Sequence, residues 1–163
     1  MYVSPGGKQS RKRPPLRTIS AGGIATGGGD LSANRTITVT AAVQSDQETA
    51  TSTTVAVVPA IQQNHPSAAK FWANADVSGA SSVSYNLTST ADTGAGLVTW
   101  TIATDFSSAA YSILVTVTST GVRGSCVDNA TITAGVVEGK CFVPSTNALS
   151  DPSQWFVCCF GDQ

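Results

Sequence analysis

The 163 residues suffice for one ordinary domain with an arm, and not for two full domains. Only 12% are charged, about half the usual share for a soluble domain, and Ser and Thr supply about a quarter of the chain, which favours strands and turns over helices. No stretch approaches the ~18 uninterrupted apolar residues of a membrane span, and the basic start runs into prolines and glycines, so neither a span nor a signal peptide is expected.

Residues 1–18 contain Pro5, Gly6, Gly7, Pro14 and Pro15 and read as an extended arm. Lys8, Arg11, Lys12, Arg13 and Arg17 are five of the nine bases of the chain, and no acid precedes Asp30. The remainder carries four bases against ten acids, a net charge of −6. A cationic arm on an acidic body is built to dock on something negative. Nucleic acid is disfavoured as that partner, because the arm has no interleaved aromatics and the body repels phosphate.

The segment 19–66 reads as a stem. Arg35 to Thr40 alternates polar and apolar with period two, a strand signal, and Gly27-Gly28-Gly29 permits the turns that would join it to a short preceding strand. Helix is expected only within 46–64, capped by Thr53 or Thr54, with a short helix from about Pro59 to His65 stopped by Pro66.

Residues 67–163 change to repeated strands. They are expected at Phe71 to Ala75, through Val83, Tyr85 and Leu87, through Val98, Trp100 and Ile102, and through Ile113, Val115 and Val117 with Leu114 on the opposite face. Cys126 to Thr133, Val136 to Val143 and Gln154 to Phe160 complete the set, with turns at Asp92 to Gly96 and Asn147 to Pro152. Seven short strands at this spacing predict a β-sandwich, jelly-roll-like head. Its exposed loops are placed at Ser78 and Ser81, at Asp92, and at Asn147 and Ser153, on polarity and flexibility. Trp100 and Tyr85 fall in phase with apolar strand positions and are assigned to the core. Trp155 suits a core or a subunit contact equally, and Trp72 completes a set of aromatics that could serve as a binding surface.

No catalytic, metal or cofactor site is expected. His65 is the single histidine, without a fixed partner for triad chemistry. The glycine clusters match no phosphate-binding loop, and the acids stand singly in turns where a glycosidase needs a converging pair. Cys126, Cys141, Cys158 and Cys159 lack metal-ligand spacing and read as buried thiols, with a Cys126–Cys141 bridge as the alternative.

Three stretches resemble a known group of proteins. Gly27-Gly-Gly-Asp-Leu-Ser-Ala-Asn-Arg-Thr-Ile-Thr-Val39 resembles a segment recurrent in tail fibres and related proteins of tailed bacteriophages. Glu48-Thr-Ala-Thr-Ser-Thr-Thr-Val-Ala-Val-Val-Pro59 is similar to their connector, which commonly precedes a short helix. His65-Pro-Ser-Ala-Ala-Lys70, Ser84-Tyr-Asn-Leu-Thr88 and Ala103-Thr-Asp-Phe-Ser-Ser108 resemble a C-terminal β-domain of phage and prophage fibre-like proteins. The matches span roughly residues 27–118, and the last forty-odd residues match nothing of the kind. The resemblance implies a homotrimer on a virion, assembled in a bacterial cytoplasm. Its arm would bind a capsid, portal-proximal or tail protein, and its head would face the host, where surface polysaccharide is the candidate ligand. The short arm departs from the large anchoring domain of a long tail fibre, so a head fibre or spike is considered beside a tail fibre. The rival readings are a capsid-decorating stabilisation protein and a polysaccharide-active spike enzyme, with a free carbohydrate-binding module disfavoured.

Overall fold

A computed structural model describes residues 17–163. The chain is mainly β, with three antiparallel sheets and two compact units. Described residues 17–41 together with Ser52–Ala56 form the smaller unit, and Ala42–Thr51 with Val57–Gln163 form the larger.

The smaller unit is a three-stranded meander of β1 (Thr18–Ser20), β2 (Ala25–Asp30) and β3 (Ile37–Val39), in the order β1-β2-β3. The triple glycine is not the turn before a strand, as expected, but the middle of β2. Gly27, Gly28 and Gly29 hold φ of +102°, +106° and +124°, a region closed to side chains. A Cβ at Gly28 would stand 2.3 Å from the Ile19 carbonyl oxygen, and one at Gly27 2.2 Å from that of Thr36. Three residues therefore form a strand here only because they are glycine. Ala56 closes the unit, its N–H donating to the Thr40 carbonyl at 2.8 Å.

The larger unit begins with two helices. α1 (Gln44–Thr49) starts where the Asp46 carboxylate accepts the Val43 N–H at 2.9 Å, and it ends at Ala50 with φ +51°. α2 (Pro59–Gln62) has proline in its first turn, where the missing N–H costs nothing. Val58 precedes α2 as its cap residue; Thr53 and Thr54 lie too far back in the chain to serve, contrary to expectation.

Nine strands follow: β4 (Phe71–Asp76), β5 (Ser81–Tyr85), β6 (Leu87–Gly94), β7 (Leu97–Ile102), β8 (Ser112–Thr118), β9 (Gly124–Val127), β10 (Val136–Val143), β11 (Ala148–Leu149) and β12 (Gln154–Phe160). One sheet has the order β5-β4-β12-β8; the other has β11-β10-β7-β6, with β9 also paired to β10. The chain changes sheet after β5, β7, β8 and β11.

Alternation sets the core. Phe71, Ala73 and Ala75 of β4 and Trp155, Val157 and Cys159 of β12 point inward from one sheet. Val98, Trp100 and Ile102 of β7 and Val137 and Cys141 of β10 meet them from the other. Trp100 and Trp155 join the two sheets edge to face, with centroids 6.1 Å apart at 84°. They fit because position 139, between them, is glycine: a Cβ there would lie 2.9 Å from the Trp100 ring and 3.3 Å from that of Trp155. Leu114 faces away from this core, 59% exposed, as its phase predicts.

Three expectations are corrected. Val83 to Leu87 is not one strand, because Asn86 adopts φ +59° and sends Leu87 into the other sheet. Asn86 holds that corner with its side chain, donating to the carbonyls of Lys70 (2.9 Å) and Thr104 (3.0 Å) and accepting the Thr104 N–H (2.7 Å). Tyr85 consequently lies outside the core, its hydroxyl on the Gln63 side chain. The strand expected from Cys126 to Thr133 ends at Val127, where Asp128 turns the chain by accepting the Ala130 N–H at 3.1 Å.

Candidate assembly and contact surfaces

The motif that marks the smaller unit is a local clip with no buried interior. Asp30 accepts the Ser32 N–H at 2.9 Å and the Ser32 hydroxyl, and it forms an ion pair with Arg35 at 2.7 Å. Those donors, Ser32 first, hold the Asp30 carboxyl below its ordinary range. Asp-Leu-Ser-x-x-Arg is thus the signature of the β2–β3 loop. None of this unit's described residues is buried. Ile19 is 42% exposed, Leu31 51%, Ile37 42% and Val39 52%. Directly across the sheet, Ile19 faces Gly29, Ile37 faces Gly27 and Val39 faces Ala25, so nothing in the unit itself can cover them. A three-stranded sheet with no apolar face covered is below what stands alone in water.

Of the basic residues assigned to anchoring, Lys8, Arg11, Lys12 and Arg13 lie outside the described residues. Arg17 is exposed, and its carbonyl accepts the Leu31 N–H at 3.0 Å, which places it at the start of the sheet.

The five head-loop residues, taken from separate stretches of sequence, converge on one end of the larger unit. Ser78 sits in the β4–β5 turn, where the Asp76 carboxylate accepts the N–H groups of Ser78 (2.8 Å) and Ala80 (3.0 Å). Ser81 opens β5 and donates to the Asn74 carbonyl at 3.1 Å. Gly79 of that turn abuts the backbone of Asp92, where a Cβ would lie 2.7 Å from the Asp92 nitrogen. Asp92 belongs to β6, which continues to Gly94; the turn expected at 92–96 shortens to Ala95 and Gly96. Asn147 takes φ +56° between β10 and β11, and the Ser153 N–H donates to Thr118 at 2.7 Å at the close of β8. All five are exposed. The chain runs from α2 into β4 at the opposite end, since β4 starts at Phe71 and finishes at Asp76, the residue paired with Gln154.

The two outer faces of the larger unit differ. On β10, Glu138 and Lys140 point outward, and Lys140 pairs with Asp128 at 2.6 Å. On the other sheet, Tyr85, Trp72, Cys158 and Leu114 stand side by side across four strands in register. Trp72 is 40% exposed, whereas Trp100 and Trp155, weighed with it as a binding surface, are buried.

Near α2, a cleft of about 270 Å³ is lined by Glu48, Asn64, Pro66, Gly161 and Asp162. Lys70 lies close by, almost fully buried, its ammonium donating to the carbonyls of Gln63 and His65 and so tying the end of α2 to β4. Burial lowers the Lys70 pKa, while Asp162 and Glu48 act to raise it. Its direct partners are those two carbonyls, and the carboxylates act on it only through their charge. His65 makes only local bonds, its Nδ1 lying 2.7 Å from the Ser67 hydroxyl. Among the described residues no group of three or more His, Cys, Asp or Glu is arranged to hold a metal ion, and no helix is long and apolar enough to cross a membrane.

The four cysteines are unbridged. Cys141 and Cys159 are buried and Cys158 half-buried, but Cys126 is exposed, contrary to the expectation for all four. The Cys126–Cys141 alternative fails on register: Cys126 opposes Lys140, and Cys141 opposes Ser125, so the two thiols leave opposite faces of the sheet. Compared with protein-family models, curated proteins and solved structures, the chain matches none.

Proposed function

We propose that this chain is the structural subunit of a trimeric virion fibre or spike of a phage or phage-like particle. Residues 1–18 are its anchoring arm, residues 19–66 its stem and residues 67–163 its head. The observation that carries the reading is the stem sheet: its apolar side chains have only glycine and alanine across from them, and copies of the same sheet are the simplest cover. The phage-fibre resemblance of that segment, Gly27 to Val39, supports the number three.

The head is read as a shortened jelly roll. The runs β4-β12-β8 and β7-β10-β9 within the two antiparallel sheets support that reading, with β5, β6 and β11 added to them. This supports a compact projecting module in which strand ends, and not a cleft, meet the outside. The function is non-catalytic in this reading, which the local bonds of the lone histidine to Ser67 support.

Light scattering on the purified full chain is expected to give the mass of three chains, and a stable monomer would overturn the reading. Replacing Arg11, Lys12 and Arg13 by Ala should abolish incorporation into particles without changing that mass. Incorporation that survives would remove the arm as anchor.

A further inference from the structure

The outer face of β5-β4-β12-β8 meets the rest of the fold through the Tyr85 hydroxyl on Gln63, and its composition is unlike that of the opposite outer face. Across one row run Tyr85, Trp72, Cys158 and Leu114; the next row carries Val83, Asn74, Phe156 and Thr116, apolar alternating with uncharged polar. Trp72, Tyr85, Val83 and Leu114 are 40%, 39%, 56% and 59% exposed. The only charged residue on these four strands is Asp76, at the far end, where it is engaged in holding the β4–β5 turn. The opposite outer face, by contrast, carries Glu138 and the Asp128–Lys140 pair. Sheets of one domain that both faced water would not divide so cleanly into a charged and an uncharged side.

We infer that this face is where the head meets the heads of neighbouring copies of the same chain. The inference rests on the oligomeric reading above, and area decides the occupant. Four strands about 4.8 Å apart and roughly seven residues long present about 400 Å² in projection. A free partner needs about 800 Å² on each side for a lasting contact. A copy already held through the stem needs far less, because the second contact is made at the high effective concentration of a tether. An uncharged face also complements itself, whereas an acidic or basic partner would find nothing on it to pair with.

The three tryptophans make the test direct. Trp100 and Trp155 are 0% and 2% exposed, so within one chain only Trp72 is open to a quencher. Acrylamide quenching of the full-length protein, at the concentration used for its mass, is expected to find all three indoles protected. Leu114→Asp, at an outward position that leaves the core intact, should raise the quenching constant several-fold while the stem keeps the mass unchanged. Adding Trp72→Phe to that variant should abolish the rise and so assign it. An oligomer in which wild-type Trp72 is freely quenched would overturn the inference and leave the proposed function standing. A monomer with Trp72 quenched would overturn both. A dimer with Trp72 protected would keep this contact and overturn the trimer. Wild-type quenching alone decides the matter even if Leu114→Asp fails to fold.

Discussion

Gly139→Ala sets two physical effects of opposite sign against each other. Removing a glycine from a strand interior stabilises by about 0.5–1 kcal/mol, because the unfolded chain has less freedom to lose. Against this, the new methyl would sit 2.9 and 3.0 Å from two atoms of the Trp100 ring and 3.3 Å from Trp155. Both indoles are rigid, essentially fully buried and in contact with each other, so neither can retreat without moving a sheet. Overpacking of this kind costs about 1–3 kcal/mol, so the net effect is a loss centred at about 1 kcal/mol and reaching at most about 2.5 kcal/mol. For a domain of this size that lowers Tm by roughly 4–8 °C. The assay is thermal unfolding followed by tryptophan fluorescence, at matched protein concentration because assembly couples to stability. Gly121→Ala is the control, since its methyl would meet only the end of the flexible Arg123 side chain, at 3.0 Å. It should stay within about 0.5 kcal/mol of wild type. A Gly139→Ala protein as stable as wild type would refute the claim that the two sheets close on each other through these indoles.

The other predictions concern the stem, the acid limb and the thiols. Gly28→Ala places a methyl against the Ile19 carbonyl at a φ of +106°; the β1–β2 pairing should be lost, with the oligomer falling apart in light scattering while the head stays folded, at a Tm lowered by the loss of its neighbours. Asp76 and Asp128 have pKa values lowered from 3.8, chiefly by the Ser78 hydroxyl and the Lys140 ammonium respectively. Near pH 4 the unfolded state therefore binds more protons than the folded one. The stabilisation is present above the unfolded value and is lost as pH falls through the folded one. Tm should hold from pH 7 to about 5 and drop below about 4, and Asp76→Asn with Asp128→Asn should flatten that drop; an equally steep acid limb in the double variant would contradict the assignment. Maleimide should label Cys126 rapidly in the native protein, whereas Cys141 and Cys159 should react only on unfolding. Burial raises the Cys141 pKa and pushes the Cys159 thiol up to about 12, so neither offers a thiolate.

Where one face of a strand is buried and the other is not, the pattern was readable in the residues. Val136–Val143 and Gln154–Phe160 appear at their expected limits, and the phase of 113, 115 and 117 against 114 holds. Alternation is a local property of the chain, set by the two-residue repeat of a strand, so it survives without knowledge of the fold. The same logic recovered the polar turns at Ser78 and Asn147. It misled at Tyr85, because alternation says that residues share a face and not which face is covered. One left-handed residue, Asn86, moved the next strand to the other sheet, and its pinning groups come from Lys70 and Thr104, far away in sequence.

Composition and periodicity were enough to establish a strand-rich chain with few charges and five of its nine bases in the first seventeen residues. Tertiary packing decided the rest: that the glycine run is itself a strand, that five residues from three separate stretches share one end, and that Tyr85, Trp72, Cys158 and Leu114 line up across four strands. Each of these depends on pairings between residues distant in the chain. The contact of Trp100 with Trp155 over Gly139 likewise joins residues of two different sheets, a burial that no local stretch of sequence contains.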